Sequence, residues 1–481
     1  MISLTTWRNL MASTPGFFSK ERITAGPGFN RWLVPPAALA VHLCIGQAYA
    51  FSVFNRPLTH VIGITQSTPA DWKLTTLGWI FSLAIVFLGL SAAFAGRWIE
   101  KVGPRVAMFT AACCFGGGFL ISAFGVAVHQ VWLLYLGYGV IGGCGLGIGY
   151  VSPVSTLIKW FPDRRGMSTG MAIMGFGGGA MIGAPLSVFL MNSFKSATST
   201  GVGETFVVMG IIYFISMCIG ALAVRIPREG WKPEGWVAPP VENRMVTTRH
   251  VHINEAMKTP QFWLMWWVLC LNVTAGIGVL GQASVMIQES FSGRVTAAAA
   301  AGFVGLMSLF NMGGRFCWAT ASDYIGRKMT YYVFFVLGIF LYSVVPGTGH
   351  VGSVTLFVLC YLIIISMYGG GFSTIPAYIA DVFGTKFVGG IHGRILTAWS
   401  AAGIFGPVLV NYIRQYQIDH GVAKADAYTV TMYIMAVLLV IGFICNFFIR
   451  PVDAKHHMTE DELNEMDGVA AGALAAGAAS R

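Results

Sequence analysis

Twelve apolar runs follow one another from Trp32 to Ile449, separated by short polar breaks. Most are close to the ~20 residues that a helix needs to cross a bilayer. A chain built this way has too much apolar surface for one soluble core, so it reads as an all-α membrane protein. Its charge agrees: 10% of residues are charged, where soluble domains carry about 25%. The mean hydropathy is +0.67. The predicted spans are 32–54, 74–96, 106–128, 131–157, 167–191, 205–225, 261–286, 298–320, 330–348, 353–377, 392–413 and 428–449.

The long polar break at 226–260 divides the spans into two sets of six. The expected organisation is a lead-in over 1–31, a six-helix bundle over 32–225, a linker over 226–260, a second bundle over 261–450 and a tail over 451–481. Residues 1–30 are polar and basic with no apolar h-region or cleavage site, so the first span is expected to act as the insertion signal. The ending "GVAAGALAAGAASR" is low in complexity and is expected to be disordered. Just before it, Thr459 and Glu462 have capping-box spacing, but a solvated tail is the simpler expectation.

Orientation follows from lysine and arginine. With both termini inside, the inner segments and adjoining span ends hold 23 of these residues. The outer loops hold six: Arg56, Lys73, Lys195, Arg294, Arg414 and Lys424. The positive-inside rule then places both termini in the cytoplasm, with a bacterial inner membrane as the setting. The net charge of +10 follows from this asymmetry and gives no reason to expect nucleic acid. The nine cysteines lie in apolar runs without CxxC or Cys/His spacing, and are expected to be small core residues. No motif calls for a metal or cofactor, and the expected partners are the bilayer and a small solute.

One stretch is repeated. "GRWIEKVGPR" follows span two and "ATASDYIGRK" follows span eight; Glu100, Gly103 and Arg105 align with Asp323, Gly326 and Lys328, each 223 residues apart. "FPDRRG" at Phe161 and "FGTKFVGG" at Phe383 repeat at an offset of 222. Two matches at nearly one offset indicate structurally repeated halves, as in many transporters. In such loops glycine permits a very tight turn, while acid and base pair across it or cap a neighbouring helix. Glu100, Gly103, Arg105, Asp323, Gly326, Arg327 and Lys328 are therefore candidate gating-loop residues.

These loops and the 6+6 topology resemble the major facilitator superfamily. Within it, "QAYAFSVF", "EAMKTPQFWLMW", "NMGGRFCW" and "TAWSAAGIFGP" resemble the oxalate/formate antiporter family, relatives of the monocarboxylate transporters. The resemblance covers roughly 31–450. It implies two pseudo-symmetric six-helix halves that give alternating access to a central site.

The topology count leaves one basic residue over: Arg315, in the apolar part of span eight. A charge there costs about 2.5–3.5 kcal/mol on insertion scales and so lines a cavity or pairs. Eight residues separate it from Asp323, about 12 Å of helix, which puts it near the midplane. No acid lies in the interior of any predicted span. An anionic ligand is then the natural counter-charge, and a guanidinium holds a carboxylate by two parallel hydrogen bonds. The alternative is snorkelling towards the headgroups. By resemblance, Arg315 matches the family's substrate-binding arginine. The family's oxalate carriers use a second cation, a lysine of span eleven, where this chain has Trp399. One fixed charge fits one carboxylate, so a monocarboxylate (pyruvate, lactate or formate) is expected ahead of oxalate; a packing role for Trp399 is the alternative.

His42 is read as the histidine clearly inside a span, sharing a face of span one with Tyr49 and Val53. It is a candidate proton carrier or carboxylate donor, and equally a packing residue. Gln47, Tyr49, Asn311 and Tyr368 are further candidate substrate contacts, and Asn272 a further donor; interhelical polar contacts explain them as well. The glycine runs 137–150 and 175–185 suit close helix crossing rather than a nucleotide site, and Gly183-Ala184-Pro185 and Gly406-Pro407 are expected to bend spans five and eleven. Proton symport and anion exchange both remain open. A membrane enzyme would need paired carboxylates, clustered histidines or an activated nucleophile; a cation-efflux pump would need a buried acid; a sensor would need an added soluble domain. None of these is present, and a monomer suffices.

Overall fold

A computed structural model describes residues 16, 19–228, 230–237, 245–280 and 282–463. The low-complexity end lies outside the described residues. Twelve helical spans follow in order: α1 (Arg31–Ala50, continued by Ser52–Leu58), α2 (Leu74–Val102), α3 (Pro104–Ala127), α4 (Val131–Trp160), α5 (Arg165–Phe194) and α6 (Val202–Ala223) form one half. The other half contains α7 (Pro260–Leu280, continued by Ala283–Ser290), α8 (Ala297–Ile325), α9 (Arg327–Val351), α10 (Val354–Phe383), α11 (Val388–Asp419) and α12 (Thr429–Phe448). Eleven helices among the described residues are long and apolar enough to cross a membrane. The twelfth, α8, carries Arg315.

The repeated loops are single-residue turns. α2 ends at Val102 and α3 starts at Pro104; α8 ends at Ile325 and α9 starts at Arg327. Gly103 and Gly326 each reverse the chain with φ of +84° and +85°, a conformation that is cheap only without a Cβ. The two halves meet along two seams, α5 on α8 and α2 on α11. Large apolar side chains such as Phe94, Phe189, Phe340 and Val437 point outward from the bundle, as lipid contact requires.

Both described ends of the chain lie on the face that carries the linker. Ala25 N donates to Ile226 O at 2.9 Å and Met458 N to His250 O at 2.8 Å. We call this the linker face. Beyond it, Thr459 and Glu462 do form the capping box: Thr459 N donates to Glu462 Oε2 at 2.9 Å and Glu462 N to Thr459 Oγ1 at 3.3 Å. The reciprocal caps order a turn where a solvated tail was the simpler expectation.

The span prolines do not interrupt their helices. α5 runs unbroken through Pro185 and α11 through Pro407. Neighbouring side chains can resupply backbone groups around a membrane proline, and Ser187 Oγ donates to Gly183 O at 2.6 Å. The breaks lie instead at a 3₁₀ stretch Gly46–Ala50 in α1, a π stretch Tyr135–Gly142 in α4 and a kink at Leu396 in α11. The cysteines also correct an expectation: Cys44, Cys270 and Cys360 are buried, but Cys113 and Cys317 are exposed on the outer surface of the bundle.

Candidate functional site

Arg315 is completely buried. Its Nε donates to Asn311 Oδ1, one helical turn back, at 2.9 Å. Nη1 and Nη2 make no hydrogen bond of good geometry, although the Tyr49 and Tyr150 hydroxyls lie near enough to interact with the guanidinium, and no carboxylate of the described residues pairs with them. Snorkelling is therefore ruled out. The guanidinium lies between two rings, with Cζ 5.6 Å from the Phe176 centroid and 5.1 Å from that of Phe372. Such cation–π contacts offset part of the burial penalty without using up the N–H donors.

Close packing makes room for this arrangement. A Cβ on Gly177 of α5 would lie 3.0 Å from Arg315 Cδ, and one on Gly369 of α10 would lie 2.4 Å from Asn311 O. The glycines thus let α8 wedge between a helix of each half, with its cation at the seam.

An aromatic cluster surrounds the cation. The Trp399 ring centroid lies 4.2 Å from Phe372, 5.2 Å from Phe176 and 5.5 Å from Tyr150. The Tyr49 and Tyr368 hydroxyls meet at 2.8 Å, joining α1 to α10. Tyr49, Tyr150, Tyr368 and His42 are all within electrostatic reach of the guanidinium. Four donor atoms of the cluster are buried without partners: Arg315 Nη1 and Nη2, Tyr150 Oη and Trp399 Nε1. An unpaired buried donor costs about 1–3 kcal/mol, more for a charged one. A set of converging donors, with no acid among the described residues to pair with them, has the chemistry to hold an anion.

The expected site residues divide. Arg315, Asn311, Tyr49, Tyr368 and Trp399 come together, with His42 beside them: its Nε2 lies 3.2 Å from Tyr150 O and its ring stacks on Tyr150 at 5.2 Å. Gln47 does not join them. Its Oε1 accepts from Tyr138 Oη at 3.2 Å inside the first half, against Gly183. Asn272 lies behind Tyr368, its Nδ2 unpaired. Sequence reasoning missed Tyr150, Phe176 and Phe372, although Tyr150 and Phe176 lie within the two glycine runs it noticed. It also missed His392, which is buried in α11 with both ring nitrogens unpaired; His42 is not alone inside a span.

The gating-loop residues use both of the expected contacts. Asp323 pairs with Arg327, one helical turn on, at 2.6 Å. The acids cap helices of the opposite half: Asp323 accepts from Gly166 N and Met167 N, both at 2.8 Å, and Glu100 accepts from Gly390 N at 3.2 Å. The aligned bases cap the sixth helix of their own half: Arg105 donates to Leu222 O at 3.2 Å, and Lys328 to Phe447 O at 3.0 Å and Ile449 O at 2.7 Å. Asp381, at the end of α10, joins the first set. It pairs with Arg165 of the other half at 3.0 Å and lies 3.4 Å from Arg327 Nε. These contacts fasten both seams at the linker face, and further hydrogen bonds follow along the seams, among them Thr169 Oγ1 to Ser373 O at 2.7 Å and Ser400 Oγ to Val86 O at 3.1 Å.

Comparison with known proteins agrees with the fold. The family model described as Major Facilitator Superfamily matches residues 28–407. The oxalate:formate antiporter of Oxalobacter formigenes is 28% identical over 385 residues, 78% of this chain and 83% of that protein. Apicoplast pyruvate carrier 1 of Toxoplasma gondii is 22% identical over 446 residues, 81% of this chain and 78% of that one. Among solved structures, the E. coli fucose:proton symporter superposes with a TM-score of 0.61 at 15% identity, covering 87% of this chain and 99% of its own.

Proposed function

The chain belongs to the Major Facilitator Superfamily, and we propose that it is a secondary transporter of small monocarboxylates such as pyruvate, lactate or formate. The observation that supports this most is the Arg315 guanidinium: buried, held at Nε by Asn311, and presenting two unpaired Nη donors among neutral ones. A carboxylate would take both Nη atoms as a bidentate pair. Tyr150 Oη and Trp399 Nε1 would then serve a neutral oxygen of the same solute. In this reading Tyr49, Tyr368 and Asn311 orient the site and His42 is the candidate proton carrier, while Gln47 supports α1 from behind.

Exchange of oxalate for formate is the second reading, favoured by the similarity to the Oxalobacter formigenes antiporter. It would need a second cation, and the position where the family places one is occupied by Trp399. Alternating access follows from the two seams: with the linker face fastened by Asp323, Arg327, Asp381 and Glu100, opening there requires these caps to release. We place the linker face in the cytoplasm and the protein in a bacterial inner membrane, working as a monomer without cofactor and with no enzymatic step. The test is uptake of labelled pyruvate, lactate, formate and oxalate into proteoliposomes, with and without a pH gradient. Saturable uptake of a monocarboxylate that competes poorly with oxalate is the expected result; transport of none of them would overturn the reading.

A further inference from the structure

Two histidines are buried on the linker-face side of the aromatic cluster. His42 lies seven residues before Tyr49 in α1, and His392 seven residues before Trp399 in α11. Seven helical residues are about 10 Å, so both lie about two turns below a ring of the cluster. They come from opposite halves and flank one side chain: the Tyr150 ring is 5.2 Å from His42 and 5.9 Å from His392. Both are essentially inaccessible, at 0% and 1% exposure. Three of their four ring nitrogens, His42 Nδ1 and both of His392, have no partner.

Packing alone does not explain three unpaired imidazole nitrogens, since each forfeits hydrogen bonds that water would supply. We propose that His42 and His392 together form one proton site across the seam, and that this site is charged only while an anion covers Arg315. The proposal rests on the carboxylate reading of the cluster.

Electrostatics gives the order of events. In the empty protein burial disfavours a charged imidazole, and the uncovered Arg315 cation of the same cluster adds like-charge repulsion. A carboxylate on Arg315 removes that repulsion and sets a negative charge beside the cluster, which favours one proton on the pair against the burial penalty. Linkage makes the effect reciprocal: the proton strengthens anion binding by the same factor. The cluster then carries one net positive charge both empty (Arg315 alone) and loaded (Arg315, carboxylate and proton). Neither crossing form is more highly charged than the other.

The groups that surround the pair leave it room to titrate. Tyr150 of α4 faces both rings. Glu100 of α2 is engaged with Gly390 N, two residues from His392. From α10, Tyr378 bonds Asn446 and Asp381 is held by Arg165. Arg394, on the same short helix as His392, turns away to Ile253 O and Asn254 Oδ1 of the linker, where Glu255 pairs with Lys258.

The test counts protons per anion. Formate or pyruvate binding to the purified protein is measured by calorimetry near neutral pH in two buffers of different ionisation enthalpy. The wild-type protein is expected to take up close to one proton per anion. His392→Gln is expected to lose most of that uptake, about tenfold at the pH where histidine titrates, whatever its anion affinity. Unchanged proton uptake by His392→Gln overturns the pair. If His392→Gln does not fold, His42→Gln decides the same question, because a shared site predicts the same loss. If the wild type binds no carboxylate, the functional reading fails. The pair is then judged from nitrogen-15 histidine signals in the unliganded protein: a titration that each single substitution alters at the other histidine supports it, and independent titrations overturn it.

Discussion

The hydroxyls of Tyr49 and Tyr368 lie 2.8 Å apart, one on α1 and the other on α10, so a hydrogen bond between side chains links the two halves within the cluster around Arg315. Its position inside the proposed anion site makes it sensitive to whatever occupies that site. The first prediction follows from this. Tyr49→Phe and Tyr368→Phe should each change the rate of anion exchange by about two- to tenfold, the effect of losing about 0.5–1.5 kcal/mol. The double variant should be no worse than either single one, because both remove the same bond. Additive effects, measured by counterflow in proteoliposomes, would show that the hydroxyls act separately.

Arg315 should separate stability from activity. An unpaired buried charge is a liability in the empty protein, and replacing it with a similarly sized apolar residue is often neutral or stabilising by about 1–4 kcal/mol. Arg315→Met should therefore melt no lower than wild type without substrate, gain nothing from added carboxylate, and transport at least about 100-fold more slowly through loss of two charge-assisted hydrogen bonds. Normal uptake by the folded variant would refute the anion site.

Trp399 is completely buried with Nε1 unpaired. Trp399→Lys should shift the preference between oxalate and formate towards oxalate by about tenfold or more, the effect of about 1.4 kcal/mol from a second charged contact. Competition uptake reads this directly. An unchanged ratio would mean that the position does not face the solute.

At the linker face, Asp323 accepts from two backbone amides of α5 as well as from Arg327. Asp323→Asn keeps the shape but loses the charge, weakening bonds worth about 1.5–3 kcal/mol each. The closed seam should open more often. A cysteine introduced at Thr169, normally bonded to Ser373 O, should react faster with a bulky thiol reagent in the Asp323→Asn background. An equal rate would place the closure elsewhere.

The loop between α1 and α2 makes a prediction about pH. Burial alone would raise the Asp71 pKa, but hydrogen bonds from Thr68 N, Ile62 N, Gly63 N and Thr68 Oγ1 outweigh it and hold the carboxyl at about 2, down from 3.8. A depressed acid contributes stability in full above its unfolded value and loses it as pH falls through the folded one. The loop should thus stay protease-resistant down to about pH 4 and open progressively towards pH 2. Asp71→Asn should be cleaved at neutral pH; equal resistance would show that the carboxylate does not hold the loop.

Much of the fold can be read along the chain because it depends on local periodicity. Apolar length sets the twelve spans, and the 223-residue offset exposes the repeat, down to two glycines with φ within a degree of each other at Gly103 and Gly326. Arg315 was legible for the same reason: a charge in an apolar run stands out without any knowledge of its neighbours. Gln47 faces the core of its own half because it lies in the 3₁₀ stretch of α1, where each residue turns by about 120°, and that local winding is not legible in the sequence. Which base pairs and which caps was open in the sequence: the helical turn brings Arg327 back to Asp323, while Lys328 reaches the end of α12.

The sequence by itself determined the span count, the duplicated halves and the one unneutralised cation. Only the tertiary structure decided what surrounds that cation: Phe176, Phe372, Tyr150 and Trp399 come from four helices, and His42 and His392, 350 residues apart, flank the same Tyr150 ring. Such meetings depend on how each helix is rotated about its axis and on glycine-sized clearances between neighbours such as Gly177 and Arg315. Those are properties of packed pairs of helices, and no single stretch of the chain carries them.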